Sequence, residues 1–440
     1  MSKGSILSII AIWATISAVS FGQATIGQWK DFYESVKDDL RSDDVSVQVK
    51  AVSKFEDQDY SDAGDFLIKL IEKNRSDTAV LKKAAEVLTA FDDEGVTNDL
   101  KKKVESNPTR HPFLLSAYLA RNPENGTSIA FKAMKSSRDF TAQRIAIERL
   151  SGIKPVHEKT ITHLLPYLGE SEYHAVRRAA ANTLGKLASA EPIPELIENL
   201  KDKVIGENAR DALLRLTGES HWRDQQAWKR WWESNKASYS PKNLDDDAFT
   251  ELHAKLLKAN SQNQVGVNFY EREITGKNIL FLLDRSGSMS KASEEEGVDR
   301  IGKLKQELTT LVGSLDEEYR IGLVMFPMDT FPRRGIETVS SRFQKKALDY
   351  IDGLAARGGT PMAESAEHCY EKIVEKYNVD TIYLLSDGAP SDIEKGAMIQ
   401  KMLGYVERYG VKVNCISIGR SSSMLEQIAK DSGGDYWETM

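Results

Sequence analysis

A spacing near 32 residues, sustained six times between residues 45 and 218, limits what this chain can fold into more than any other feature. A small or apolar residue is followed four positions later by a larger apolar one. The pairs are Ala51/Phe55, Ala84/Leu88, Leu115/Leu119, Ala146/Leu150, Ala180/Leu184 and Ala212/Leu216, and their first members step by 33, 31, 31, 34 and 32 residues. Residues four apart share one helical face, and a unit of this length is one helix pair that cannot bury its apolar side alone. Stacked units join those sides into one core, so the spacing predicts an all-α solenoid. In the clearest copy, Ala175 to Leu187, alanines permit close helix approach, and Arg177 and Arg178 are expected on the wet side. This stretch resembles a HEAT-type repeat array with a short period.

Leu216-Thr217-Gly218 carries the glycine of a helix end. Just beyond it stand four of the chain's seven tryptophans, and Trp228, Trp231 and Trp232 fall on one helical stripe. They read as an aromatic cap on the last repeat, which places the array at 45–237 after an N-terminal segment 23–44. Residues 238–265 read as a linker with one short amphipathic helix. Asp245-Asp246-Asp247 suits the positive end of that helix and lacks the spacing of an EF-hand loop.

The first 22 residues are about targeting. Behind Lys3, Ile6 to Val19 is a run of 14 apolar or small residues, followed by Ser20-Phe21-Gly22-Gln23-Ala24. A basic start, a short apolar core and small residues at a cleavage position make a signal peptide, whereas a spanning helix needs about 20 apolar residues. No cysteine follows for lipid attachment. The expectation is an exported chain in the periplasm, cell envelope or medium, without a membrane span unless the leader is retained as an anchor. The two cysteines, Cys369 and Cys415, exclude a disulfide scaffold and a four-thiolate zinc site. Whether they pair or stay as buried thiols is open at this level. A net charge of −7, from 59 basic and 66 acidic residues, lacks the basic footprint of a nucleic-acid binder.

From Asn278 the pattern changes. Four β-rich runs (279–283, 321–326, 381–385 and 411–418) alternate with helical segments at 299–315, 343–354, 362–377 and 393–409. That alternation predicts a doubly wound α/β domain over 266–440 with a mainly parallel sheet and its site at the carboxyl ends of the strands. At the end of the first run stands Asp284-Arg285-Ser286-Gly287-Ser288. Gly358-Gly359-Thr360-Pro361 offers a hydroxyl just before a helix, and Ser386-Asp387-Gly388 a carboxylate at the end of another strand. Two carboxylates and three hydroxyls are hard oxygen donors with coordination positions left over, which suits Mg2+ and leaves Mn2+ or Ca2+ open.

Here the chain, from about Val267 onward, resembles the von Willebrand factor type A domain and its metal-ion-dependent adhesion site. The family pattern Asp-x-Ser-x-Ser, a distant Thr and a distant Asp is filled by Asp284, Ser286, Ser288, Thr360 and Asp387. The resemblance implies that these five hold the metal, hydroxyls directly and carboxylates often through water. It also implies that a partner's Asp or Glu completes the shell. After Gly433-Gly434-Asp435 only Tyr436 to Met440 follow, where adhesion receptors carry a further moving helix. A constitutive binding domain is therefore expected.

Enzyme signatures fail. Gly297-Val298-Asp299-Arg300-Ile301-Gly302-Lys303-Leu304 lacks the hydroxyl residue after lysine of a phosphate-binding loop, and it opens a helix away from the end of the first strand. His157-Glu158 meets His163 six residues on rather than four, so no zinc pair forms on one face. Ser286-Gly287-Ser288 has no leading glycine for a nucleophile elbow, and His368 is the one nearby base candidate in the domain. Glu294-Glu295-Glu296 reads as a solvated loop. The expectation is a non-enzymatic binding or scaffold protein with the array as a second surface. The alternative is an accessory subunit of an envelope enzyme or assembly complex with the metal site structural or unused.

Overall fold

The computed structural model describes residues 26–439 apart from 59–60, 74–76, 136–138, 170–171, 261–265 and 294–296. The apolar leader and the triple glutamate lie outside the described residues. Among the described residues no helix is long and apolar enough to cross a membrane.

The six predicted pairs fall on the first helices of successive helix pairs. These are Val45–Ser53, Thr78–Ala90, Pro112–Ala120, Phe140–Leu150, His174–Gly185 and Gly206–Thr217, with Phe55 one turn past the first. Their partners are Ser61–Lys73, Glu94–Ser106, Gly126–Met134, Thr160–Leu164, Ile193–Glu198 and Gln225–Asn235. Aspartates at their starts accept from backbone N–H groups left free by the helix: Asp77 from Ala79 at 2.9 Å and Asp139 from Ala142 at 2.9 Å. All twelve residues of the periodic pairs are buried, and one apolar core runs from Val36 to Trp228. Gly218 ends the array at φ +66°, its N–H on the Leu214 carbonyl. Trp228 is buried and donates its indole N–H to the Trp222 carbonyl at 3.1 Å, with Trp231 and Trp232 packed over the same core. The stripe therefore seals the last unit.

The arginines of the clearest repeat depart from the expectation. Arg177 is buried, donating to the Leu168 carbonyl and to Asp202 at 2.6 Å, and Arg178 points out of the array into the second module. The face predicted to be wet is occupied by protein, and each guanidinium finds its acceptors there.

The second module is a seven-stranded sheet of β3 (Asn278–Asp284), β4 (Arg320–Phe326), β5 (Asp329–Phe331), β6 (Glu337–Thr338), β7 (Thr381–Ser386), β8 (Lys412–Ile418) and β9 (Tyr436–Thr439), preceded by a small hairpin, β1 (Asn268–Phe269) and β2 (Arg272–Glu273). The order is β5-β4-β3-β7-β8-β9, with β6 also on β4. β3, β4, β7, β8 and β9 run parallel, and β5 and β6 are antiparallel to β4. Alternation along β3 feeds two cores. Ile279, Phe281 and Leu283 face the helices Arg300–Ser314 and Ser341–Asp352, while Leu280 and Leu282 face Met362–Cys369, Lys395–Tyr409 and Ser423–Ser432. Cys369 and Cys415 are free thiols buried in the second of these cores. The last described residues, not among the four predicted strands, form β9 at the sheet edge, where Trp437 joins the first core.

The two modules are packed together. Helix Lys395–Tyr409 lies against the array, and Gly404 approaches so closely that a Cβ there would sit 2.5 Å from Asp77 Oδ1. Around it, Glu407 pairs with Lys82 and with Arg144, each at 3.1 Å, and Lys412 pairs with Glu207 at 2.7 Å. His174 Nδ1 meets Asn378 Oδ1 at 2.5 Å. Arg178 donates to the Asp380 carbonyl at 2.8 Å. Asn378, Asp380 and Lys412 stand at the starts of β7 and β8, so the array grips the amino ends of the strands. Their carboxyl ends, roughly 20 Å away at about 3.3 Å per residue, face the other way.

Candidate metal centre

The chain leaves β3 toward β4 on one side of the sheet and returns to β7 on the other. The loops that follow β3 and β7 therefore diverge and leave a crevice, the place where open parallel sheets bind ligands. Asp284 ends β3 and is fully buried. Its Oδ1 accepts from the Ser286 N–H at 2.7 Å and its Oδ2 from the Ser386 hydroxyl at 2.7 Å. The turn after it, Gly287–Ser290, places the Ser286 and Ser288 hydroxyls 2.9 Å apart. Ser288 Oγ then reaches Asp387 Oδ1 at 2.6 Å, just past the end of β7. Burial pushes the Asp284 carboxyl above its ordinary range, and the Asp387 charge adds to that, against the donors on Ser286 and Ser386.

Thr360 comes from a loop zipped to the first by backbone bonds. Gly287 N donates to the Gly358 carbonyl at 2.9 Å, and Arg357 N to the Arg285 carbonyl at 2.7 Å. Gly358 has φ +74°, and a Cβ on it would lie 2.6 Å from Pro327, so glycine is required. Ser391 clamps Thr360 from the other side, its hydroxyl accepting the Thr360 N–H at 3.0 Å. Thr360 is buried, and its hydroxyl lies 4.0 Å from where a Cβ on Gly388 would stand. The five predicted residues thus gather at one end of β3 and β7. The first three and Asp387 form a continuous hydrogen-bonded chain, with Thr360 beside it.

The donor set fits a hard divalent cation. It consists of oxygens only, from two buried carboxylates and three hydroxyls. Gly287, Gly358 and Gly359 are exposed above it, so a ligand can approach. Among the described residues no cluster of three or more His, Cys, Asp or Glu side chains is placed to hold a metal. A site built from two acids and three hydroxyls would not form such a cluster.

Three participants escape the motif. Ser386 orients Asp284, Ser391 orients Thr360, and Arg300 Nη1 sits 2.5 Å from Asp387 Oδ2. Arg300 belongs to the segment that resembles a broken phosphate-binding loop. Arg300 stands 87 residues before Asp387 in sequence, and its helix start is folded back against the site. The periodic reading detects helices but not which helix start abuts which strand end.

With this geometry in view, residues 277–437 match the family model described as von Willebrand factor type A domain. Among curated proteins, the chain is similar to YfbK of Escherichia coli K12, 28% identical over 171 residues, which cover 37% of this chain and 28% of that protein. It is also similar to human inter-alpha-trypsin inhibitor heavy chain H4, 26% identical over 170 residues, covering 36% of this chain and 18% of that one. The chain thus spans less than a third of the length of either relative. Among solved structures, a von Willebrand factor type A protein from Catenulispora acidiphila aligns at 16% identity and TM-score 0.33 over 38% of this chain and 39% of that one. An aerotolerance-related membrane protein from Bacteroides fragilis aligns at 18% identity and TM-score 0.30 over 38% and 92%.

Proposed function

We propose that this is an exported, non-enzymatic binding or scaffold protein that engages an acidic side chain of a partner protein through a divalent cation. Asp284, Ser286, Ser288, Thr360 and Asp387 hold the ion, and the helical array, of HEAT type, supplies a second surface. The observation that carries this reading is the hydroxyl–carboxylate chain from Asp284 to Asp387 in the crevice between β3 and β7. When bound, the ion supplies an electrophilic centre: two carboxylates and neutral hydroxyls leave it short of ligands, and a partner carboxylate completes the shell. Mg2+ is the favoured ion, with Mn2+ and Ca2+ as alternatives. The apolar leader supports export, and the match to a family of interaction modules supports binding over catalysis.

The test is Mg2+ titration by calorimetry and thermal melting on the full chain, beside Asp284→Ala, followed by metal-dependent capture of the partner. Saturable binding that the mutant lacks, with capture abolished by EDTA, supports the reading. Partner capture that ignores EDTA and maps to the array would replace it with the second reading, an accessory subunit whose metal site is unused. The buried ionic grip of the array on the second module favours that alternative, because it makes the two modules one rigid platform.

A further inference from the structure

The two carboxylates of the centre are held differently. Asp284 is met by an N–H and a hydroxyl, both neutral donors, whereas Asp387 receives a full positive charge from Arg300. That contact is built, not incidental. Asp299 caps the helix Arg300–Ser314 through the Gly302 N–H at 2.9 Å, and the Arg300 N–H donates to the Lys291 carbonyl at 2.9 Å, so the backbone is pinned on both sides. The guanidinium lies against the bare backbone of Gly419, where a Cβ would come within 2.1 Å of Nη2. Its Nε is buried with no hydrogen-bond partner among the described residues, so the group is fixed by the ion pair and by packing. The Asp387 side chain is fully buried and shares its other oxygen with Ser288.

We propose that Arg300 is the counter-cation of the metal centre: it holds Asp387 when no metal is bound and sets how tightly a divalent ion is taken up. This rests on the reading that the five oxygen residues hold a metal. A divalent ion arriving at Ser286, Ser288 and Thr360 meets a site carrying two negative charges and one positive, and it must share Asp387 with a guanidinium or displace it. Either way a like charge opposes the ion. The same charge offsets the repulsion between Asp284 and Asp387 before the ion arrives, so the crevice is preorganised without it. Once the ion is bound, the extra positive charge leaves the centre more attractive to an acidic ligand.

The test uses the full chain and Mn2+ alone, read by calorimetry and by the electron paramagnetic signal of the free ion, in wild type, Arg300→Gln and Arg300→Lys. Arg300→Gln should bind Mn2+ with a Kd roughly tenfold lower, as expected for removing a like charge a few ångströms away. Its metal-free form should melt lower than wild type, with the loss recovered on adding Mn2+. Arg300→Lys keeps the charge and should stay within roughly threefold of wild type. Unchanged or weaker binding in Arg300→Gln overturns the proposal while leaving the metal site standing. Equal tightening in both variants overturns it as well, because packing and not charge would then be responsible. Mn2+ bound by none of the three proteins overturns the site reading and this inference with it.

Discussion

Arg178, on a helix of the array, donates to the carbonyl of Asp380 at 2.8 Å, at the residue that leads into β7, whose far end carries Asp387 of the candidate centre. One strand therefore spans the distance between the array's grip and the candidate centre. Asp380 is itself buried, with its carboxylate accepting from the Lys277 and Asn278 N–H groups and 4.0 Å from Arg178. Burial pushes that carboxyl up, and Arg178 opposes the shift.

Arg178→Ala should therefore destabilise the protein by about 2–4 kcal/mol, because it strips a buried carboxylate of its cation and removes a charged donor from the Asp380 carbonyl, which keeps only the Lys412 N–H at 3.2 Å. Denaturant melts check this. The double variant with Asp380→Asn should recover part of the loss. A change below about 0.5 kcal/mol would mean that the contact does not hold the modules together.

Asp284 makes a prediction of opposite sign. Its carboxyl is raised by burial, so the folded state resists its charge. Asp284→Asn keeps an oxygen for the Ser286 N–H while removing that charge, and Ser386 can turn its hydroxyl to accept. The metal-free variant should be more stable by about 1 kcal/mol, a melting rise of roughly 2 °C, yet gain nothing from Mg2+. A lower metal-free melting temperature would show that the charge is compensated in the fold.

His174 lies buried at the junction, facing Asn378, Arg178 and the backbone of Tyr409 and Gly410. Burial, with Arg178 adding to it, pushes its pKa down to about 3. The folded value lies below the unfolded value near 6.5, so the unfolded chain takes up the proton first. Stability is full above about pH 6.5 and falls as pH drops toward 3, by about 2–3 kcal/mol at pH 4.5. Glu207, pulled down to about 2 with Lys412 as its main cation, adds a second loss below about pH 4.5. His174→Gln should flatten the stability profile between pH 6.5 and 4.5 and leave the lower limb. Equal slopes in both proteins would exclude His174 as the cause.

Gly410 and Gly433 both hold left-handed backbone, at φ +64° and +72°. At Gly410 a Cβ would stand 2.4 Å from the Ala175 Cβ across the junction, whereas at Gly433 nothing lies within 4 Å. Gly433→Ala should cost about 1 kcal/mol, the price of the backbone alone. Gly410→Ala should cost roughly 1–3 kcal/mol more, as overpacking is added. Thermal melts of the two variants compare the terms directly, and equal losses would mean that the junction yields without resistance.

Much of this molecule was legible before folding. The 32-residue spacing placed the first helix of every pair, because a four-residue apolar offset has one meaning on a helix and its burial requires a neighbour. The alternating runs placed β3, β4, β7 and β8 to within a few residues, since a strand covered on both faces must be continuously apolar. Five oxygen-bearing residues at strand and helix ends identified the candidate centre by ligand chemistry alone.

Long-range placement was the work of tertiary structure. Arg177 and Arg178 read as solvated because a single repeat cannot announce its surroundings: the acceptors of Arg177 lie on neighbouring segments of the array, and the second module covers Arg178. Arg300 read as part of a chance motif because nothing local says that its helix start meets the end of β7. β9 and the β5 and β6 edges are too short to show a period, and they exist through the partners they pair with. Periodicity and donor chemistry are local, so the sequence by itself determined the elements and the five oxygen donors of the candidate centre. Which charges end up facing one another depends on chain reversals that span 87 residues in one case and 202 in the other, and only the packed structure decided that Arg300 holds Asp387 and Arg178 holds Asp380.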